Sequence, residues 1–289
     1  MSLNFWRNKM DIEFPVPFAK MSGTGNDFIV IDHRRPLVPE GEQAEFVRRV
    51  CRRMFSVGAD GVIFIEGSEN ADFSWRFYNE DGSVAEMCGN GARCAARFAF
   101  ARGIAEKKMS FETMAGIIEA EVLGDDGEVS LLMTAPFDYR SGLEADLDGR
   151  ATEMSFMNSG VPHAVIFMDE GKEIAVKKWG HEIRFHEMFA PAGSNVNFVQ
   201  ALSDGGIRVR TYERGVEDET MACGTGAVAS AIFAAAKGLV ASPVTVTTSG
   251  GEQLRIVFDL NQDGTAENVY LQGPARIIYI GQLTAESLK

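Results

Sequence analysis

The run MCGNGARCAARFAFARG at residues 87–103 returns as ACGTGAVASAIFAAAKG at 222–238. Each copy sets a cysteine, Cys88 or Cys223, in a glycine loop and follows it with an alanine-rich stretch ending on a cation and a glycine. Such stretches are good helix formers, and a cation followed by glycine is an ordinary helix C-terminus. Cys223 lies 135 positions after Cys88, and Lys237-Gly238 lie 135 positions after Arg102-Gly103. Working outward, Thr113 in FETMAG and Thr248 in VTTSGG keep the same offset. Tyr78-Asn79 matches Tyr212-Glu213 at 134, and MSGTGNDFIVID matches NSGVPHAVIFMD at 137, which sets Asn26 against His163 and Asp32 against Asp169. A near-constant offset over so many blocks marks an internal duplication.

The duplication predicts two homologous lobes, 11–134 and 135–276, joined near the turn-rich MTAPFDYRSG. Short β-branched or aromatic runs such as FIVID, GVIFIE, SWRFYN, IIEAEVL and EVSLLM, bounded by Gly, Asp and Asn, predict strands. EFVRRVCRRMF (45–55) reads as an amphipathic helix. AVASAIFAAAK is apolar on nearly every face and must be surrounded rather than laid on a surface. The expected fold is α+β: two pseudo-symmetric lobes, each a curved, mostly antiparallel sheet around a central helix.

Composition narrows the function. The chain has 289 residues, 45% of them hydrophobic and 24% charged, with a formal net charge of −13. The basic footprint of a nucleic-acid binder is missing. The longest run with no charged or strongly polar residue, in the AVASAIFAAAK region, is far shorter than the ~20 apolar residues that a membrane span needs. MSLNFWRNKM lacks the apolar centre of a signal peptide, and residues 1–10 read as a leader or tag remnant. The four cysteines, Cys51, Cys88, Cys94 and Cys223, are too few and scattered for a disulfide framework, which suits a reducing cytoplasm. They form no CxxC pair, so no metal site is expected, and His181, His186 and Glu187 do not have the HExxH spacing. GTGND (23–27) looks superficially like a phosphate loop but lacks the full glycine pattern.

A cysteine at a helix N-terminus in a glycine loop meets exposed backbone N–H groups and the positive end of the helix dipole. Both favour an anion, and both favour a thiolate. If the two halves face each other as their symmetry invites, a substrate carboxylate held by the two helix ends would place its α-carbon between two sulfurs. One thiolate could then remove the α-proton while the other thiol protonates the opposite face, inverting the stereocentre without a cofactor. The small polar substrate is the expected partner, with no nucleic acid and no membrane; assembly as a homodimer stays open.

At these residues the chain resembles the diaminopimelate epimerase family, over about 18–285. The motifs are KMSGTGNDF (20–28), GADG (58–61), FYNEDGSVAEMCGNGARC (77–94), PAGSNVNFVQ (191–200), YERGVEDETMACGTGA (212–227) and LQGPA (271–275). The resemblance implies a cofactor-independent isomerase in lysine and peptidoglycan precursor synthesis, interconverting LL- and meso-diaminopimelate. It implies that Cys88 and Cys223 are the acid/base pair, and that Gly89, Asn90, Gly224 and Thr225 bind the reacting carboxylate. Asn26, Asn79, Asn195, Glu213 and Arg214 match positions that hold the substrate, especially its distal end. It also implies that the last strand, near 277–287, returns to the first lobe. His163 has a supporting role among these expectations, with histidine able to orient or polarise a neighbour. Val161 stands where many members of the family carry asparagine. Two alternatives remain at this stage: another cofactor-independent racemase of the same fold, akin to proline racemase, and a non-catalytic thiol redox switch.

Overall fold

The computed structural model describes residues 10–124, 127–169 and 171–289. The leader expectation therefore lies outside the described residues except for Met10, which packs partly against the core that holds Phe46, Val47 and Val50. The chain divides into two compact units, one running to Val122 and including Ala275–Lys289, the other Leu123–Pro274.

The first unit opens with β1 (Val16–Gly23) and β2 (Asn26–Asp32), an antiparallel hairpin. Its two-residue turn, Thr24-Gly25, has positive φ at both positions (51° and 92°), as a type I′ turn requires. The stretch that resembled a phosphate loop is thus a hairpin turn. Next come α1 (Glu40–Val50), β3 (Gly61–Glu66), β4 (Phe73–Asn79), α2 (Gly89–Ala101), β5 (Lys108–Thr113) and β6 (Gly116–Leu123). Strands β2 and β3 pair in parallel, β3 and β4 antiparallel, β4 and β5 in parallel, and β5 and β6 antiparallel.

Helix α1 begins earlier and ends earlier than the 45–55 reading. Glu40 and Glu42 occupy its first turn and Arg48 and Arg49 its last, matching the macrodipole. Beyond it Met54 takes φ 69° and, like Phe55, is exposed, so the apolar tail of EFVRRVCRRMF does not belong to the buried stripe.

The second unit contains β7 (Glu128–Leu132), β8 (Phe137–Leu147), β9 (Arg150–Asn158), β10 (Pro162–Phe167), α3 (Val176–Arg184), β11 (Asn195–Ala201), β12 (Ile207–Glu213), β13 (Asp218–Thr220), α4 (Gly224–Ala236), β14 (Val244–Thr247), β15 (Gln253–Leu260) and β16 (Ala266–Pro274). Its pairings repeat those of the first: β9–β10 antiparallel, β10–β11 parallel, β11–β12 antiparallel, β12–β14 parallel and β14–β15 antiparallel. Strand β7, inside the 11–134 span that the repeat suggested for the first lobe, pairs with β16 of the second unit. The final strand, β17 (Arg276–Leu283), pairs antiparallel with β1, as β8 does with β9.

Strands β2, β3, β10 and β11 are buried along most of their length because helices cover both faces. Alternation sorts the side chains. In β10 and β11, Ala164, Ile166, Val196 and Phe198 join the α3 core, whereas Val165 and Val199 join the α4 core. The same parity turns His163, Asn195 and Asn197 toward α4. That helix touches β9 to β12 and β14 to β16, and every residue from Gly226 to Ala235 is buried. Its uniformly apolar sequence follows from this enclosure.

Both central helices end in the same way. Gly103 (φ 64°) and Gly238 (φ 71°) occupy the left-handed position after α2 and α4. In each case the next residue's N–H reaches back over the last turn, from Ile104 to Ala99 O at 2.8 Å and from Leu239 to Ala234 O at 3.0 Å. This is the Schellman arrangement, and it holds the repeated helices to the same length. Among the described residues no helix is long and apolar enough to cross a membrane.

Candidate active site

Each unit builds a thiol corner at the N-terminus of its enclosed helix. In the first, Cys88 is the N-cap of α2, with extended backbone (φ −147°, ψ 117°), and its Sγ accepts the Gly91 N–H at 3.5 Å. In the second, Cys223 is the N-cap of α4 with nearly the same conformation (φ −124°, ψ 109°). Neither helix carries an acidic residue in its first turn, so the positive end of each dipole is left for another anion. A helix leaves its first N–H groups without intrahelical partners. Those of Gly89 and Asn90 in one corner, and of Gly224 and Thr225 in the other, are the donors expected to meet a carboxylate.

Around Cys88 the polar groups form one chain. Asn90 Nδ2 donates to Asn26 Oδ1 at 2.6 Å, and Asn26 Nδ2 donates to Asp60 Oδ2 at 2.9 Å. Arg53 ties Asp60 to Asp27 at 2.8 and 2.6 Å, and Lys20 contacts Asp27 at 2.6 Å. Arg93, wholly buried one turn into α2, donates to Asn90 Oδ1 and Thr24 Oγ1, both at 2.7 Å. Gly23 permits the close approach of β1 to this turn, since a Cβ there would lie 2.8 Å from the Asn90 carbonyl oxygen. The structure thus brings Asn26, Cys88, Gly89 and Asn90 together. Asn79, at the end of β4, lies at the same end of the sheet as the start of β2 and β3, and its amide donates to Ser83 Oγ at 3.0 Å. Asp81-Gly82 forms the expected turn there, with Gly82 at φ 80°.

Around Cys223 a second chain runs through buried groups. Cys223 Sγ lies 3.6 Å from Thr225 Oγ1, which lies 2.9 Å from His163 Nε2. His163 Nδ1 is 3.0 Å from Asn197 Nδ2, and Thr211 Oγ1 donates to Asn197 Oδ1 at 2.9 Å. Asn195 donates to Pro162 O at 3.0 Å and accepts the Arg214 N–H at 2.8 Å, so its amide sets the backbone from which Arg214 projects. The Arg214 guanidinium touches Ala192 O at 3.4 Å. Burial pushes the Glu213 carboxyl above its ordinary value, so a cation placed against it would meet a poorly solvated charge.

His163 is fully buried, and burial first, then the Arg214 charge, pulls its pKa from 6.5 down to about 3. It is neutral in the folded protein at pH 7, whereas in the unfolded chain it binds a proton below 6.5. Between those values the unfolded state holds more protons, and stability falls as pH falls. From pH 6.5 to 4.5 the wild type is therefore expected to lose about 2 kcal/mol more than His163→Gln, at ~1.4 kcal/mol per pH unit. Urea unfolding at both pH values measures the difference, and equal losses would refute the assignment.

Gly226 supplies the space that this corner needs. A Cβ there would overlap Asn197 Oδ1 and stand 3.3 Å from Cys223 Sγ. Gly226→Ala is expected to destabilise the protein by about 1–3 kcal/mol, the usual range for overpacking a rigid interior. Thermal melting beside the equivalent Gly91→Ala checks this. At Gly91 the nearest atoms to a Cβ would be Ile63 Cδ1 at 3.3 Å, the Trp75 ring at 3.5 Å and Cys88 Cβ at 3.6 Å, none of them an overlap, so the smaller loss is expected there.

Arg93, Thr24, Asn197 and Thr211 escaped the sequence reading, and Asp60, which by sequence reads as a turn or capping group, accepts the Asn26 amide. Two had a signal. Arg93 is the one cation in the first two turns of an otherwise small and apolar helix, and Asn195 and Asn197 repeat at strand period on a face that should be core.

The sequence model of the family described as Diaminopimelate epimerase matches residues 18–137 and 155–278. A diaminopimelate epimerase from Aquifex aeolicus is 48% identical over 281 residues, spanning 94% of this chain and 99% of that protein. One from Hydrogenobaculum is 46% identical over 93% and 98%. Among solved structures, a phenazine biosynthesis protein of the PhzF family from Bacillus anthracis superposes with a TM-score of 0.72 at 13% identity, covering 94% of this chain and 100% of its own. A hydroxyproline epimerase from Agrobacterium vitis gives 0.67 at 16% identity over 97% and 94%. These two show a shared fold. With both thiol corners intact and the relatives covered almost end to end, the chain belongs to the diaminopimelate epimerase family.

Proposed function

We infer that this isomerase interconverts LL- and meso-diaminopimelate, with Cys88 and Cys223 acting on opposite faces of one α-carbon. The observation that carries this reading is the repetition of the thiol corner. In both units a cysteine caps an enclosed helix whose first turn has no acidic residue. The reacting carboxylate takes the backbone N–H groups of Gly89, Asn90, Gly224 and Thr225. One thiolate removes the α-proton, and the other thiol delivers a proton to the opposite face. Charge that develops on the carboxylate as the proton leaves is stabilised by donors already aimed at it.

The distal amino-acid end is assigned to Arg214, whose planar fork suits a carboxylate, and to Glu213, whose poorly solvated carboxyl gains from an ammonium partner. Asn26, Asn79 and Asn195 complete that assignment, while His163 supports the Cys223 corner. Both thiols must stay reduced, so a reducing cytoplasm is the setting this chemistry requires. Each corner is built within one copy of the chain, and the reading requires no second copy.

Incubation of the reduced protein with LL-diaminopimelate in D₂O tests the reading. Deuterium at the α-carbon together with meso product, followed by NMR, is the expected result. Exchange with proline or hydroxyproline but none with diaminopimelate would transfer the activity to the alternative racemase class.

A further inference from the structure

The hydrogen bonds behind Cys223 determine their own directions. The Ala164 carbonyl can only accept, and Asn197 lies 3.0 Å from it through Nδ2. That contact identifies the nitrogen end of the Asn197 amide, and Thr211 donating to Oδ1 is consistent with it. The amide nitrogen has two hydrogens. One goes to Ala164, and the other goes to His163 Nδ1 at 3.0 Å. His163 Nδ1 must therefore carry a lone pair. In a buried neutral imidazole the ring proton is then on Nε2, where it donates to Thr225 Oγ1 at 2.9 Å. Having accepted there, the Thr225 hydroxyl has its own hydrogen to give, and Cys223 Sγ is 3.6 Å away.

We propose that Asn197 is a positioning residue for Cys223: its amide locks His163 as the Nε2–H tautomer, and His163 in turn aims the Thr225 hydroxyl at the Cys223 sulfur. This rests on the reading of Cys223 as an acid/base thiol and adds residues that neither motif nor repeat singled out. A donor aimed at the sulfur favours thiolate over thiol. The reverse tautomer would present a lone pair at Nε2 and draw the hydroxyl hydrogen away from the sulfur. Asn197 and His163 are fully buried and Thr211 nearly so, leaving little water to supply substitute partners. The charged groups on the neighbouring strands are Arg150 and Glu153 on β9, Arg208, Arg210 and Glu213 on β12 and Asp218 and Glu219 on β13, with Arg214 just beyond β12, and the variants below leave all of them in place.

Two measurements on the full-length protein without substrate test this. In ¹⁵N-histidine NMR, with the resonances assigned by His163→Gln, His163 is expected as a single Nε2–H tautomer that does not titrate between pH 5 and about 8, given its burial. Asn197→Leu is expected to give a mixture of tautomers. Peptide-resolved alkylation by iodoacetamide across pH then reads the thiol. Thr225→Val should raise the apparent pKa of Cys223 by about one unit, Thr225→Ser should hold it within about 0.3, and Cys88 should be unmoved in both. An Nδ1–H or titrating His163 in the wild type overturns the proposal, as does an unchanged Cys223 profile in Thr225→Val. The wild-type spectrum needs no variant to fold. Neither readout needs turnover, so this proposal and the epimerase reading fail on different measurements.

Discussion

Cys88→Ser and Cys223→Ser are each expected to lower kcat for LL-diaminopimelate by about 10³-fold or more, near the upper part of the range for removing a positioned acid or base. A serine hydroxyl in the same place keeps the size of the group and its ability to cap the helix. It cannot ionise near pH 7 as a thiol at a helix N-terminus can, so proton abstraction loses its base. The loss should fall on kcat with KM little changed, since the backbone donors that take the carboxylate remain. Exchange in D₂O separates the two roles. Each variant keeps one thiol, so slow exchange at the α-carbon by a single face can survive where inversion does not. Near-wild-type turnover in either variant would falsify the two-thiol scheme. Melting temperatures close to wild type are also expected, because both cysteines are partly exposed at helix caps rather than in the core.

Arg214→Ala is expected to reduce kcat/KM for diaminopimelate by roughly 10²- to 10⁴-fold, the scale for leaving a buried charged partner without its counterpart. The fold should lose little. Among the described residues the Arg214 side chain makes one long hydrogen bond, to Ala192 O, whereas the bond that anchors the segment runs from its backbone N–H to Asn195. Lysine at 214 would keep the charge and lose the fork, so Arg214→Lys should recover only part of the activity. Steady-state kinetics beside a melt make the distinction. A kcat/KM within a few fold of wild type would remove the distal carboxylate from Arg214.

Much of the architecture was legible because it is local and repeated. Cys88 and Cys223 each precede a run of good helix formers that ends on glycine, and a duplicated pattern of that length implies a duplicated unit. The apolar circumference of AVASAIFAAAK required a helix enclosed on all sides, as α4 is. Strand pairing follows the same logic, since homologous segments in the two units pair in the same sense. The tail of EFVRRVCRRMF was misleading because an apolar residue after a helix end looks, in one dimension, like another turn of the same stripe.

What the chain by itself determined was therefore the duplication, the two capped helices and the cysteine at each cap, all of which depend on residues within a few positions of one another. Tertiary structure alone decided which polar groups stand behind each sulfur. Asn197 reaches His163 only because β10 and β11 pair in parallel, with His163 opposite Asn195, and because strand alternation turns all three toward α4. Arg93 reaches Thr24 only because Gly23 lets the β1–β2 hairpin close on the first turn of α2. A one-residue change of register would turn these side chains to the other face, and register is set by the whole packed sheet rather than by any one segment.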